Sequence, residues 1–370
     1  MDENDELLDA ITALIPSVLT ALEAFAYFGR HMHPGNIQAL VLPLKERVEP
    51  VEEGLKVFKG APWPDHLQQF ADQISEVAGH VISAIDGLKT IGDDEKSVFR
   101  AYRIMRYHNR AVESLYPIAL MLPPVSRFFV EPGRRDDAVL QEKLAKSDAR
   151  RENVGIIHMG NDKESKGGFS LYVPEYYEET DSSPLIVALH GGSGHGRDFL
   201  WTWLREARSY GAILVSPTSK GDTWSLMGPD VDSPNLHGIV NHVQERWNVD
   251  SSKMLLTGMS DGGTFTYVSG LDGNSPFTHL APSSASFHPL LIEGYPPERI
   301  QGLPIYLMHG ALDWMFPIDV ARGAHQTLSA AGANVCYREI SDLSHTYPRD
   351  ENPNIMNWFL HGTAPSTETA

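Results

Sequence analysis

The 370-residue sequence predicts an α/β fold: a mostly parallel sheet with helices on both faces, preceded by a helical region. Three observations predict it. Apolar residues recur at three- and four-residue spacing through the first 150 residues, which indicates amphipathic helices. From residue 154 onward, short β-rich runs alternate with helical segments, a pattern typical of parallel sheets. One of these runs, 185–189, is apolar throughout, as in strands that are covered on both faces.

The first 150 residues read as a small helical bundle or cap. Helices are predicted over 7–25, 37–58, 67–88, 95–120 and 136–150. The predicted organisation is therefore a helical bundle or cap region in 1–150 and an α/β domain in 151–370. The helical region is a candidate lid over the site, a candidate surface for homo-oligomer formation or a partner-binding module.

Charge excludes some classes of partner. The chain has 30 basic and 48 acidic residues, a formal net charge of −18, and residues 151–370 contribute −12 of it. A surface of that sign repels phosphate backbones and favours neutral substrates over polyanions, so we expect no nucleic-acid partner.

The N-terminus predicts neither secretion nor a membrane span. It is acidic where a signal peptide would be basic, and Asp9, Pro16 and Glu23 interrupt the apolar stretch 7–28. The expected location is cytoplasmic, although a signal peptide removed earlier would leave no trace in this sequence.

The strongest chemical signal is a serine between a predicted strand and a predicted helix. Strands are predicted over 168–173, 185–189, 212–216, 254–257, 305–308 and 335–340. After 254–257 comes Gly258-Met259-Ser260-Asp261-Gly262-Gly263, a G-x-S-x-G pattern whose small residues permit a sharp turn that exposes the serine hydroxyl. Ser260 is thus a predicted nucleophile; the competing interpretation is a tight glycine turn with a bystander serine.

A serine nucleophile needs a base, and the base needs an orienting acid. Asp313 follows strand 305–308 and His345 follows strand 335–340, so both are expected at the carboxyl edge of the sheet, where open α/β sheets present their sites. Asp319 and Asp342 are rival acids. The competing interpretations are a helix-capping carboxylate for Asp313 and a surface-loop histidine for His345.

Acyl transfer also needs donors for the oxyanion that develops. The glycine-rich run His190-Gly191-Gly192-Ser193-Gly194 follows strand 185–189, so the Gly192 N–H is one expected donor and the Asp261 N–H, directly after the serine, is the other. The run lacks the lysine ending of a P-loop and the spacing of a dinucleotide fingerprint, which excludes nucleotide binding.

These segments, together with His309-Gly310-Ala311-Leu312-Asp313 and Ser344-His345, resemble α/β-hydrolases, in particular the phospholipase/carboxylesterase group and the related polyhydroxybutyrate-depolymerase-like and feruloyl-esterase-like enzymes. The resemblance covers about 150–370. It implies a Ser260–Asp313–His345 triad, oxyanion-hole positions at Gly192 and Asp261, and hydrolysis of carboxylic esters without cofactor or metal. The helical region 1–150 is not part of the family's minimal fold, and the cysteine pairs common in secreted polyester-degrading members are absent from this sequence.

An ester-binding pocket is the least specific prediction. Aromatic and sulfur-containing side chains near the predicted site suggest an apolar acyl or aryl pocket, with core packing as the alternative. The candidates are Trp224, Trp314, Met315, Phe316, Phe287 and His288. The expected function is a serine carboxylesterase acting on neutral small-molecule esters; the alternatives are a polyester- or feruloyl-type esterase and a non-catalytic scaffold with a partner-binding helical domain.

Overall fold

The computed structural model describes residues 3–148 and 150–365, and it divides into two compact units between Phe129 and Val130. This boundary lies about 20 residues before the one predicted from the sequence. The segment after Val130 belongs to the second unit because its backbone and side chains bond there. The Glu131 N–H donates to Ser209 Oγ (2.8 Å), and the Arg134 guanidinium donates to the Ser209 carbonyl (2.6 Å).

The first unit consists of helices that bury one apolar face each. They are α1 (Glu3–His31), α2 (Ile37–Gly60), α3 (Gln68–Leu88), α4 (Glu95–Ile104), α5 (Arg106–Leu115) and α6 (Pro123–Phe128). In α1 the side chains of Leu14, Val18, Leu22 and Phe25, spaced by three or four residues, are completely buried. The periodicity therefore predicts the buried face correctly.

Helix α1 is longer and more continuous than its sequence suggests. It runs unbroken through Pro16, and Asp5–His31 is long and apolar enough to cross a membrane by length and composition, with a mean hydropathy of 1.6 in its most apolar window. Core helices of soluble proteins and signal sequences have the same composition. Here α1 packs closely on α2: a Cβ at Gly54 would lie 2.6 Å from the Ala13 carbonyl oxygen. The first unit uses this helix as part of its core.

The second unit is an eight-stranded sheet flanked by helices. Its strands are β1 (Gly155–Met159), β2 (Phe169–Val173), β3 (Ser183–Leu189), β4 (Ile213–Pro217), β5 (Val249–Met259), β6 (His279–Ser283), β7 (Pro304–Gly310) and β8 (Asn334–Ile340). Its helices are α7 (Ala138–Lys146), α8 (Gly196–Phe199), α9 (Leu204–Tyr210), α10 (Asp232–Arg246), α11 (Asp261–Gly270), α12 (Pro297–Ile300), α13 (Ile318–Ala330) and α14 (Asn352–His361).

The strand order is β1-β2-β4-β3-β5-β6-β7-β8, with β2 antiparallel to both of its neighbours and every pair from β4 to β8 parallel. The mostly parallel α/β fold predicted from the sequence is confirmed. All five residues of 185–189 are completely buried, as expected for a strand covered on both faces. The topology also puts the carboxyl ends of β3, β5, β7 and β8 at one edge of the sheet.

Two strands, β1 and β6, were not predicted from the sequence. Strand β6 has a histidine at its first position and Pro282 in its interior, which interrupt the apolar run that marks a buried strand. Strand β1 pairs only with β2 and lies at the sheet edge, where its residues after Gly155 are half-buried. An edge strand needs less continuous apolar sequence than a central one.

One half-buried histidine gives this unit a pH-dependent stability. His279 packs edge-on against Trp358 and Phe359 of α14 (ring centroids 5.2 and 5.0 Å apart), and burial, aided by the charge of Lys253, lowers its pKa from 6.5 to about 4. The unfolded chain binds a proton near pH 6.5 whereas the folded chain does not. Stability is therefore lost as the pH falls from 6.5 to about 4, by about 1–3 kcal/mol after allowance for solvent screening.

The measurement is urea unfolding at a series of pH values. His279→Gln should flatten the loss of unfolding free energy between pH 6.5 and 4, whereas His361→Gln, at the exposed end of α14, should leave the profile unchanged. Identical slopes for His279→Gln and wild type would contradict the assignment.

Candidate active site

Ser260 occupies a sharp turn between β5 and α11. Its φ is 55° and its ψ −120°, a conformation that costs energy for any residue with a side chain. The turn needs glycine on both sides: a Cβ at Gly258 would lie 2.5 Å from the Gly262 backbone, and a Cβ at Gly262 would lie 2.4 Å from the His190 carbonyl oxygen. The two glycines of the G-x-S-x-G pattern therefore allow strand, helix and neighbouring loop to approach closely.

The backbone of Ser260 is held in place from the next strand. Its N–H donates to the Ser283 carbonyl at the end of β6 (3.0 Å), and its own carbonyl accepts from the Thr264 N–H in the first turn of α11 (2.8 Å). Ser260 as a whole residue is 8% exposed. These bonds fix the direction in which the hydroxyl points.

The structure brings Ser260, His345 and Asp313 together. His345 Nε2 lies 2.9 Å from Ser260 Oγ, and His345 Nδ1 lies 2.8 Å from Asp313 Oδ2 and 3.0 Å from Oδ1. Because Nδ1 faces a carboxylate, it carries the proton and leaves Nε2 free to accept from the hydroxyl. The rival acid Asp319 instead pairs with Arg322 on the surface of α13.

Asp313 is held as an anion. Its burial acts to raise the pKa, but the hydrogen bond and charge of His345, together with the Phe316 N–H, outweigh burial and lower the pKa below its usual 3.8. The N–H groups of Met315 and Phe316 both donate to Oδ1 (2.9 Å each). A carboxylate with several donors is fixed in orientation, so it can hold the imidazole in one tautomer.

Two further histidines support the loops around the site. His309, fully buried, donates from Nε2 to the Phe316 carbonyl (2.8 Å) and lies 3.4 Å from Asp313 Oδ2; burial lowers its pKa, so it is neutral. His190 Nε2 accepts from the Ser219 N–H (3.1 Å) and Nδ1 donates to the Gly191 carbonyl (2.7 Å). Both side chains thus hold loop backbone in place beside the site.

The glycine-rich loop after β3 lies directly beside the serine. A Cβ at Gly191 would lie 3.5 Å from the Ser260 Cβ, and a Cβ at Gly192 would lie 2.6 Å from Asp261 Oδ2. Among the residues that the structure describes, the Gly192 N–H meets no hydrogen-bond acceptor. The Asp261 N–H is the first of α11, whose initial N–H groups have no partner within the helix. Two backbone donors thus flank the serine.

Thr223 belongs to a loop that contacts both segments carrying these donors, the glycine-rich loop and the start of α11. The sequence analysis predicted no role for it. Its hydroxyl donates to Asp261 Oδ2 (2.6 Å), and the carbonyl of its neighbour Asp222 accepts from the Ser193 N–H (2.9 Å). The loop after β4 therefore ties the glycine-rich loop to the start of α11. Only the three-dimensional approach of the loops reveals this contact.

Trp224 does not line an open pocket, contrary to the prediction. It is 2% exposed, its Nε1 donates to the His190 carbonyl (2.7 Å), and its ring stacks on Phe265 (5.3 Å). Through this hydrogen bond the indole supports the glycine-rich loop. A large aromatic residue near a catalytic motif has the same sequence signature in either role.

The other predicted pocket residues have varied surroundings. Phe316 packs edge-on against the His345 ring (5.3 Å), and Met315 beside it is 36% exposed. Trp314 is half-buried. Phe287 packs against Tyr267 (5.1 Å), and the exposed His288 accepts from the Leu290 N–H. Of the six, Phe316 is the residue whose ring contacts the triad.

Two curated proteins are similar to this chain in sequence, and no protein-family model matches it. The bifunctional acetylxylan esterase/xylanase XynS20E of Neocallimastix patriciarum is 25% identical over 208 residues, 53% of this chain and 29% of that protein. Feruloyl esterase B of Talaromyces stipitatus is 25% identical over 226 residues, which are 57% of this chain and 56% of that protein. The chain thus spans less than two thirds of either relative.

Among solved structures, a thermostable esterase superposes with a TM-score of 0.42 and 20% identity, covering 51% of this chain and 54% of that one. The acetyl xylan esterase from Aspergillus awamori superposes with a TM-score of 0.44 and 17% identity, covering 55% of this chain and 98% of that one. The chain thus has a mostly parallel α/β fold and is similar in sequence, over about half of its length, to two carboxylic ester hydrolases.

Proposed function

We propose that the chain is a serine carboxylesterase that hydrolyses neutral carboxylic esters through an acyl-enzyme on Ser260. The observation that carries the proposal is the unbroken series of hydrogen bonds from the Ser260 hydroxyl through the His345 imidazole to the Asp313 carboxylate. This arrangement activates an alcohol as a nucleophile without a cofactor or a metal.

In the proposed cycle, His345 Nε2 takes the hydroxyl proton while Ser260 Oγ attacks the ester carbonyl. Asp313 stabilises the imidazolium that forms. As the tetrahedral intermediate collapses, His345 gives the proton to the leaving alkoxide, and the acyl group remains on Ser260. A water then attacks the acyl-enzyme, losing its proton to His345, which returns it to Ser260 as the acid leaves.

The N–H groups of Gly192 and Asp261 would hold the oxyanion during both steps. Each such donor is worth on the order of 3 kcal/mol, or about a hundredfold in rate. Their position beside Ser260 supports this role, because donors fixed by the fold need no reorganisation when charge develops on the substrate oxygen.

For the substrate, we propose small acyl or aryl esters carried on a polysaccharide. One sequence relative is named as an acetylxylan esterase/xylanase, which supports a carbohydrate-borne ester, and the other as a feruloyl esterase, which supports an aryl acyl group. Phe316 beside His345 and the partly exposed Met315 offer an apolar wall for an acetyl or aryl group. The acidic character of residues 151–370 disfavours strongly anionic polymers.

The direct test is labelling with a fluorophosphonate, followed by peptide mass spectrometry. We expect one phosphonyl adduct on Ser260, and hydrolysis of p-nitrophenyl acetate and methyl ferulate much faster than of the matching anilides. The Ser260→Ala protein should take up no label. An unlabelled wild-type chain with no esterase activity would favour the non-catalytic scaffold instead.

Thr223 should contribute to the rate through the oxyanion donors. Thr223→Val removes the hydroxyl that holds Asp261, so we expect kcat to fall roughly tenfold with little change in KM. Affinity for a boronic acid that mimics the tetrahedral intermediate should fall in parallel. Thr223→Ser keeps the donor and should restore both values; equal losses in the valine and serine variants would point to a packing effect alone.

A further inference from the structure

The first unit has a positively charged helix face, although the unit as a whole is acidic. Residues 1–129 have 12 basic and 18 acidic side chains, yet residues 95–113 have five basic and two acidic ones. Helices α4 and α5 are separated only by Met105, which has helical backbone angles (φ −61°, ψ −13°). The Met105 N–H donates to the Ala101 carbonyl (2.8 Å), and the Met105 carbonyl accepts from the Asn109 N–H (3.2 Å). The helical repeat therefore continues from α4 into α5.

Five cations lie along one face of this continuous segment, because residues three or four apart share a face of a helix. We call them the basic stripe: Lys96, Arg100, Arg103, Arg106 and Arg110. Arg110 is half-buried and the other four are exposed, whereas the residues of the opposite face, such as Val98, Ala101 and Leu115, are completely buried. At about 1.5 Å of rise per residue, the stripe is about 21 Å long.

The charges of the stripe are available to an external partner. Among the residues that the structure describes, Lys96, Arg100 and Arg103 form no ion pair. The Asp94 carboxylate attracts Lys96 and Arg100, but it already accepts from the Ser97 N–H (2.7 Å) and the Ser97 hydroxyl (2.8 Å) at the start of α4. A line of exposed cations with so little internal neutralisation attracts an anionic surface.

An exposed apolar segment follows the stripe directly. Residues 114–126 contain no charged side chain, and within them Leu120 is 49% exposed, Met121 is 56% exposed, and Pro123 is exposed as well. Phe99, which lies within the stripe, is 45% exposed. Large apolar side chains that are left in water next to cations are typical of segments that lie in the interface of a membrane.

This combination favours an anionic membrane over a nucleic acid or an acidic peptide. Arginine matches the phosphate and carboxylate oxygens of all three partners. A bilayer also offers an apolar phase for Leu120 and Met121, whose side chains have no ring to stack on a nucleic-acid base. The net charge of −18 opposes approach at long range, but screening limits its reach to about 8 Å at physiological ionic strength.

We propose that the basic stripe and the apolar segment 116–124 dock the chain on an anionic phospholipid bilayer. The arginines face the lipid phosphates and carboxylates, and Leu120 and Met121 enter the interface. Each cation held at such a surface raises the binding constant about fivefold. The proposal goes beyond the proposed function and does not depend on it, because it assigns a partner to the helical unit. Docking of this kind is peripheral and requires no membrane span.

The test is co-sedimentation of the 370-residue chain with lipid vesicles. One set of vesicles is pure phosphatidylcholine, and the other contains about one third phosphatidylserine, close to the charge of a cytoplasmic leaflet. We expect the chain to bind the anionic vesicles at least about tenfold more tightly, and this preference to shrink as salt rises. Hydrogen exchange in 95–124 should slow when the vesicles are bound.

Matched double variants separate the stripe from general charge. Arg100→Gln with Arg103→Gln should weaken binding to the anionic vesicles about 20-fold. Arg47→Gln with Lys59→Gln removes the same charge from exposed positions on α2 and should keep binding within about twofold of the wild type. Circular dichroism should be the same for all of these proteins, because the substituted side chains are exposed.

A second pair of variants tests the apolar segment. Leu120→Ser with Met121→Ser should weaken binding at low and at high salt alike, because the lost contribution is not electrostatic. Leu42→Ser, at a position of α2 that is 65% exposed, is the control and should leave binding unchanged.

Three results would overturn the proposal. The first is equal affinity for the two vesicle types, or no binding to either. The second is an equal loss in the stripe variant and the α2 charge variant. The third is tighter binding of a short DNA duplex or a polyglutamate peptide than of the anionic vesicles at the same salt concentration. Esterase activity is not a readout in these measurements, so a failure of the catalytic proposal would leave their outcome unchanged.

Discussion

Ser260→Ala is expected to lower kcat for p-nitrophenyl acetate by about 10⁴-fold or more, because no other hydroxyl takes the place of the nucleophile. The fold should persist. Alanine and serine have the same backbone restrictions at the positive φ of this turn, and the N–H to Ser283 and carbonyl to Thr264 bonds do not involve the side chain. Circular dichroism and the Tm should match the wild type within about one degree, so the loss can be assigned to chemistry.

The double variant gives the sharper version of this test. If Ser260 and His345 act as one unit, Ser260→Ala and His345→Ala together should lose no more activity than either alone. Ser252→Ala, in the exposed first half of the same strand, is the matched control and should keep full activity. The proposed nucleophile would be ruled out by an active Ser260→Ala protein. It would also be ruled out if the fold-loss of activity in the double variant equalled the product of the two single losses.

The largest loss of stability is expected when a buried ion pair far from the sequence motifs is broken. Glu175 and Arg208 are both about 1% exposed, and Arg208 Nε donates to Glu175 Oε1 (3.1 Å) while the Tyr172 hydroxyl donates to Oε2 (2.8 Å). Glu175→Ala leaves the guanidinium buried without its carboxylate, at a cost of about 3–5 kcal/mol. For a unit of this size the Tm should fall by about 10 °C or more.

Calorimetry of the purified variants would measure this effect. Glu178→Ala is the matched control because Glu178 is 68% exposed and lies 3.8 Å from Arg151, so its loss should cost less than about 1 kcal/mol. Tyr172→Phe should fall between the two, since it removes one hydrogen bond to a charged group. Similar Tm values for the two glutamate variants would contradict the assignment.

The order of the strands explains why the three residues predicted as a triad lie close together. Ser260, Asp313 and His345 each come after a predicted strand, and the carboxyl ends of parallel strands meet at one edge of the sheet. The approach of the three side chains therefore follows from the strands alone. The sequence motif also accounts for glycine at 258 and 262, because only glycine fits where two backbones come within 2.5 Å.

What the sequence does not predict depends on contacts between distant segments. Thr223 is one polar residue in a loop, and nothing in its neighbours indicates that it will touch Asp261. The burial of Trp224 depends on Phe265 and the His190 carbonyl, which lie on other elements. The unit boundary at 129/130 depends on the bonds from Glu131 and Arg134 to Ser209, about 75 positions away.

The crowding between Gly192 and Asp261 has a consequence for protein engineering. Any side chain at 192 would collide with the carboxylate that Thr223 holds, so libraries that vary 192 alone should return few functional clones. Randomising 192 and 261 together opens combinations that single-site searches never sample. New acyl preferences would then be sought in paired changes of the two loops.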